Sequence, residues 1–388
     1  MHARSIVLTG LVTLVAVSAA RGWDDRVGSV AGVCGPGNEN SCCWGWDTFT
    51  PGCDDVACCE EVCAFDPFCC AVLWDQICAG EALGLCDVCA PVCGNGACQA
   101  NQNCATCPED CGDCDALSFT PGHVFVVQPD WHCCELVGFD RIWEVDPETG
   151  DVQLFGVVEG QWCACMTGLA FTPDGRFLRV SMPFTNQILE FDAAGHFVVV
   201  LDGDDGIRFP TGRNNLAYDA EGAFYVINQG ALNILRFPAD GGPPSVFADS
   251  ADGVTGVGAL ASVPDGDIYY AADQGDVLRI TPDGDVSTFI EDSPTFFATS
   301  LAADGCGLLY VGYAAEGAIL QFHAGDPASG VPIGLAPSFT TTLAMCPDET
   351  CLYLARFDAL FRVDTADGSA HLVAPLVFDP PGQPVGIA

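Results

Sequence analysis

The strongest constraint on this chain is a phrase that repeats. It is clearest in residues 215–249, NLAYDAEGAFYVINQGALNILRFPADGGPPSVFAD. A short apolar strand (Leu216, Ala217, Tyr218) is followed by a turn over 219–222 and a strand over 223–227. After a loop at 228–231 come a third strand (233–237), a turn at 240–242 and a fourth strand (245–248). The opening strand returns as Gly168-Leu169-Ala170-Phe171, Asn215-Leu216-Ala217-Tyr218, Ala259-Leu260-Ala261-Ser262, Ser300-Leu301-Ala302-Ala303 and Thr342-Leu343-Ala344-Met345, so its leucines lie 41 to 47 residues apart. Four short strands in a unit of that length is the pattern of a β-propeller blade.

Each opening strand runs into an acidic turn: Pro173-Asp174-Gly175, Ala220-Glu221-Gly222, Pro264-Asp265-Gly266, Ala303-Asp304-Gly305 and Pro347-Asp348. Glycine there is expected to supply the positive φ of a hairpin turn. The second strands (FLRVSM, FYVIN, IYYAAD, LLYVGY, LYLARF) are β-branched or aromatic, as a sheet packed on both faces requires. An earlier blade is legible in residues 124–158, but its inner strand has two candidates: Leu117-Ser118-Phe119, or the Val385-Gly386-Ile387-Ala388 phrase at the far end. The economical reading is an all-β, six-bladed propeller of four-stranded blades over 115–388, with the C-terminal strand closing the first blade and leaving no open edge. A seventh blade lying beyond this sequence is the alternative.

The front of the chain is different. Arg4, the apolar run over 6–17 and the small residues at 17–20 have the form of an export signal over 1–20. No later run reaches the roughly 20 apolar residues a membrane span needs. Eighteen of the 25 cysteines then fall from Cys34 to Cys114, a density that implies a disulfide scaffold outside the reducing cytosol. In residues 34–91, Cys59, Cys63 and Cys70 recur with Val62 and Leu73 at helical spacing; Asp54-Asp55 is placed to cap one short helix and Asp66-Pro67 to open the next. Residues 92–114 form a second, loop-rich knot. Its Cys104-x-x-Cys107 and Cys111-x-x-Cys114 pairs have the spacing of a metal knuckle, with Asp110 and Asp113 nearby, but disulfides are expected in an exported chain.

Charge narrows the partners. Among 388 residues, 52 are acidic and 12 basic, a formal net charge of −40, and every basic residue is arginine. That excludes lysine chemistries such as a Schiff base, and it disfavours nucleic acid and anionic membranes. An extracellular protein, a glycan or a small molecule remains as ligand, and a monomer is expected.

Several phrases carry resemblances. Asp219-Ala220-Glu221-Gly222-Ala223-Phe224-Tyr225-Val226 resembles the NHL repeat, and Ile268-Tyr269-Tyr270-Ala271-Ala272-Asp273 is similar to the YWTD repeat. The whole of 116–388 resembles the broad senescence-marker/gluconolactonase group of six-bladed propellers. TPGCDD, VCAFDPFCC, LWDQIC, CGNGAC and NCATCPEDCG resemble cysteine-rich segments of secreted planctomycete and myxobacterial proteins. The gluconolactonase resemblance implies a channel-lining Glu, Asn and Asp set around a divalent cation, here Ca²⁺, that polarises a lactone carbonyl. Gly212-Arg213-Asn214-Asn215 with Asp219 is similar to that group's metal-contacting phrase, with Asn215 where Asp is expected. The sequence departs from the group elsewhere: Thr167 replaces an Asn, Ser300 offers only a hydroxyl, and the E-G-P-x-W phrase is absent.

The loops joining second to third strands, and one blade to the next, share a face. That face gathers the candidate ligand residues Arg213, Asn214, Asn215, Asn228, Asp273 and Arg356. Asp202, Asp204 and Asp205, with Asn214, are the candidate Ca²⁺ ligands. Cys133, Cys134, Cys163 and Cys165 are neighbours on the first blade and its exit, with His132 beside them, and disulfides are favoured over a metal cluster. Cys346 and Cys351 flank a hairpin turn and are expected to bridge, leaving Cys306 as the odd thiol. Two readings follow: a secreted, cell-surface or periplasmic binding protein presenting its ligand through propeller loops, or a divalent-cation-dependent lactonase-like hydrolase or lyase acting on a sugar-derived substrate.

Overall fold

Short strands with both faces apolar can only be stable when stacked face to face, and that is how the blades sit in the computed structural model. The structure describes residues 34, 35, 38, 42, 50–74, 78, 82, 85, 86, 93, 94, 96, 98, 101–128, 139–159, 166–212, 214–272, 276–291, 298–313, 317–335, 342–356, 358–376 and 386–388. These fall into two compact units, 1–88 and 89–388.

In the first unit a helix spans Val56–Phe65 and a single turn spans Phe68–Ala71. Asp55 caps the longer helix by accepting the Cys58 amide at 2.9 Å, and the Asp66 carboxylate accepts the Phe68 amide at 2.9 Å. Disulfides Cys34–Cys59, Cys42–Cys53, Cys58–Cys86, Cys63–Cys70 and Cys69–Cys78 staple the unit. So small a core needs such cross-links to stay folded.

The second unit contains the knot and the propeller. Cys93–Cys107, Cys98–Cys111 and Cys104–Cys114 hold the knot. Every group of three or more metal-type ligand atoms among the described residues includes cysteines already committed to disulfides, so the knuckle spacing serves cross-linking. The knot docks on the second blade. The buried Asp192 carboxylate accepts the Cys104 amide at 3.0 Å, and Asn101 Oδ1 accepts the Val199 amide at 3.1 Å.

Six four-stranded antiparallel sheets form the ring. The inner strands of blades two to six are Leu169–Phe171, Leu216–Tyr218, Gly258–Ser262, Ala298–Ala303 and Thr342–Met345. In blade one the inner strand is Gly386–Ile387, which pairs with Val124–Gln128 through Val126↔Ile387 and Val127↔Gly386. The closure read from the sequence is therefore present. Phe119, from the competing phrase, packs instead against Phe125 and Phe171, with ring centroids 5.3 and 5.0 Å apart.

The second strands are the most buried; every residue of Phe224–Asn228 and of Ile268–Ala272 is interior. The core lies between blades, where Tyr225, Ile227 and Ile234 of blade three meet Leu260, Ile268 and Tyr270 of blade four. The turns follow expectation at Gly175, Gly222 and Gly266, with φ of 69°, 87° and 89°. In blade five the Ala303-Asp304-Gly305 phrase is offset from the turn, which opens three residues after the inner leucine as in the other blades. Asp304, not Ala303, opens the turn, its amide donating to Leu308 O and the Gly307 amide donating back to Asp304 O. The positive φ accordingly moves to Gly307 (84°). In blade six the non-glycine Glu349 takes φ 59°, and its carboxylate accepts the Gly305 amide of the neighbouring turn at 2.8 Å.

Candidate functional site

The residue before each inner-strand apolar position is Gly168, Asn215, Ala259, Ser300, Thr342 and Gly386 in turn, and Asn215, Ala259, Ser300 and Thr342 are wholly buried. An inner strand has no pairing partner on its channel side, so its free backbone groups face the axis. The segment leading into blade three supplies part of what they bond. Asn214 sits at φ 54° with its carbonyl accepting the Leu260 amide of blade four at 2.9 Å. Its side chain reaches blade six, on the opposite side of the ring. Nδ2 donates to the Leu343 carbonyl at 2.6 Å, and Oδ1 accepts the Thr342 hydroxyl at 2.6 Å. One buried amide thus ties three blades together across the channel.

Asn215 points the other way, to blade two. Its Oδ1 accepts the Ser181 hydroxyl at 2.9 Å, and Ser181 Oγ also takes the Gly168 amide at 2.8 Å and lies 2.8 Å from Thr167 Oγ1. A Cβ on Gly168 would stand 1.8 Å from Asn215 Oδ1, so this close approach requires glycine. Asn215 Nδ2 and Ser300 Oγ are buried without a protein partner.

The donor set bears on the lactonase resemblance. Both asparagine oxygens that a cation would use are engaged by hydroxyls, and the other described side chains in these contacts are serine and threonine. Divalent cations of the Ca²⁺ kind want several oxygen ligands, usually with carboxylates among them. The described channel residues do not make that set. Arg213 and Asp273 lie outside the described residues, as do Cys133, Cys134, Cys163 and Cys165.

The acidic loop is organised by its own backbone. Asp202 Oδ1 accepts the Asp204 amide at 2.7 Å and Asp205 Oδ2 accepts the Asp202 amide at 3.0 Å. The cation beside it is Arg208, whose Nη1 donates to Gly203 O and Ile207 O at 2.5 and 2.8 Å. Asn228 is interior and ties this loop to blade three: its Oδ1 accepts the Arg208 amide and its Nδ2 donates to Gly206 O at 3.2 Å. Arg356 forms a two-contact pair with Asp358 and lies over the Phe361 ring, 5.3 Å from its centroid. Cys346–Cys351 is a disulfide and Cys306 is an exposed free thiol. Sequence reasoning gave no role to the side chains of Ser181, Thr342, Arg208 or the aromatic pair Phe184–Phe209; each acquires its role from a contact in another blade or loop.

No family model matches this chain, and no curated protein matches it. Solved structures do. A nidogen/laminin complex chain aligns with a TM-score of 0.55 at 15% identity, covering 69% of this chain and 97% of that one. A putative gluconolactonase aligns at 0.45 and 16% identity over 57% of this chain and 80% of that one. A catalytically inactive virginiamycin B lyase from Staphylococcus aureus with quinupristin aligns at 0.48 and 13% identity over 68% and 92%. At such identity the first likeness establishes architecture alone: this chain carries a six-bladed β-propeller of the kind seen in that complex, behind a disulfide-rich N-terminal region.

Proposed function

We propose that the protein is an exported binding protein that presents its ligand on the loops around one mouth of the propeller, and that its channel is structural. The observation that carries this reading is the Asn214 tie: the residue most similar to a metal ligand spends both ends of its amide on blade six. The groups around it are neutral hydroxyls with no base or nucleophile paired among the described residues, which supports scaffolding over hydrolysis. Nine disulfides among the described residues support export, and no described helix is long and apolar enough to cross a membrane.

The test is a panel of lactones assayed with and without Ca²⁺, Mn²⁺ or Zn²⁺, alongside calorimetric titration of each metal. No metal-dependent turnover is expected. Turnover that is lost in Asn215→Ala, with the fold intact by circular dichroism, would return the channel to catalysis and end this reading.

A further inference from the structure

One part of the loop face is built more firmly than loops usually are. Arg208 is clamped at both backbone groups by blade three: its amide donates to Asn228 Oδ1, and its carbonyl accepts the Gly230 amide at 2.9 Å. The next residue, Phe209, is held at φ 50° with its amide donating to Asn186 Oδ1 at 2.7 Å. A bulky non-glycine residue in the left-handed region costs on the order of 1–3 kcal/mol and persists only where its surroundings enforce it. Phe184, on the turn between the second and third strands of blade two, stands edge-on to Phe209 with centroids 5.0 Å apart and is 45% exposed. Two side-chain amides from two blades therefore hold an arginine and an aromatic pair in one presented arrangement.

Several arginines of the ring are paired with carboxylates, and Arg208 is not. On the opposite face Arg176 pairs with Asp115, Arg179 with Glu190 and Arg279 with Asp267. Among the described residues Arg208 has no carboxylate within ion-pair distance; only its Nη1 is used, on two carbonyls. Among the described residues, a chain of net charge −40 thus keeps the exposed Arg208, the sequence neighbour of Phe209, without an ion pair on its loop face. A guanidinium fork matches a carboxylate with two parallel hydrogen bonds.

Resting on the loop-binding reading above, we propose that Arg208, Phe209 and Phe184 form a site for an acidic saccharide, the carboxylate of a uronate unit on Arg208 and the apolar face of a sugar ring on the phenylalanines. The openness of the site favours a sugar over an aromatic acid. Phe184 and Arg208 are exposed, so the ligand's far side stays in water, where a saccharide keeps its hydroxyls hydrated and an aromatic ring would gain little burial. The surrounding negative field restricts the ligand to few charges.

The experiment is calorimetric titration of the whole protein with trigalacturonate and with its methyl ester. Saturable binding of the acid is expected, weakened at least tenfold in the ester and in Arg208→Met, and about fivefold or more in Phe184→Ala, an exposed position where folding is not at risk. No saturable binding of the acid, equal binding of the ester, or unchanged binding in Arg208→Met each overturns the site. The two readings fail separately. Metal-dependent lactone turnover defeats the binding-protein reading whatever the titration shows, whereas absent trisaccharide binding without turnover defeats only this site.

Discussion

Replacing Asn214 tests the hub directly. In Asn214→Ala the Leu343 carbonyl and the Thr342 hydroxyl lose their partner in a buried place, at about 1–3 kcal/mol each. Alanine at φ 54° adds roughly 1 kcal/mol of backbone strain that asparagine tolerates better. The expected loss is about 3–7 kcal/mol, a drop in Tm on the order of 10 °C for a propeller of this size. Asn214→Gly loses the same two bonds without the strain, so it should lie about 1 kcal/mol above the alanine variant. Denaturant melts followed by far-ultraviolet circular dichroism give the ranking, and a cycle with Thr342→Val isolates the hydroxyl contact, expected at about 1 kcal/mol of coupling. An alanine variant within 0.5 kcal/mol of the parent, or a glycine variant less stable than alanine, would refute the cross-channel tie.

Three further outcomes follow from the same geometry. Gly168→Ala should cost about 1–3 kcal/mol by forcing Asn215 off Ser181, against about 1 kcal/mol for Gly175→Ala, where nothing lies within 4 Å and only the φ of 69° is strained; equal thermal shifts would show that the close approach at Gly168 is not real. Removing residues 385–388 should abolish the single cooperative melt of the propeller, because blade one loses its inner strand; an unchanged melt would mean that the ring does not depend on that pairing. Burial pushes the Tyr225 and Tyr310 hydroxyls up to about 12. With the folded pKa above the unfolded value near 10, their contribution is complete below about pH 10 and is lost as pH rises through about 12. Phenolate absorbance should therefore appear together with unfolding; full ionisation of a still-folded protein would contradict the burial.

The repeat was legible because each blade buries the same strand in the same way. The recurring leucine, the glycine turn and the aromatic second strand are local, and local patterns survive in sequence. Blade-one closure was legible for the opposite reason: a lone inner-strand phrase at 385–388 had no blade of its own. The hub was not legible. Asn214 looks like a turn residue or a ligand by its neighbours, and its partners Thr342 and Leu343 lie 128 and 129 residues away. The blade-five turn misled because Ala303-Asp304-Gly305 copies the spelling of its equivalents, while its bonds open on the second residue of the phrase and not on the residue before it, as at Thr172, Asp219 and Val263. The knot was read as a separate piece because composition changes at Cys114, yet Asp192 and Asn101 join it to blade two.

Blade-one closure also has a consequence for biogenesis. Val126 and Ile387 are strand partners separated by roughly 260 residues, so during synthesis the first blade is made early and completed last. Throughout that interval Val124–Gln128 carries a bare edge, apolar at four of its five residues, the kind of surface that templates wrong pairings between nascent chains. The described bridges of the cysteine scaffold ahead of it, by contrast, span only 7 to 28 residues and are oxidisable while the propeller is still being made. The chain thus sets its fastest cross-links in front of its slowest contact, and the yield of native protein should depend on how long that one edge is kept from meeting another copy of itself.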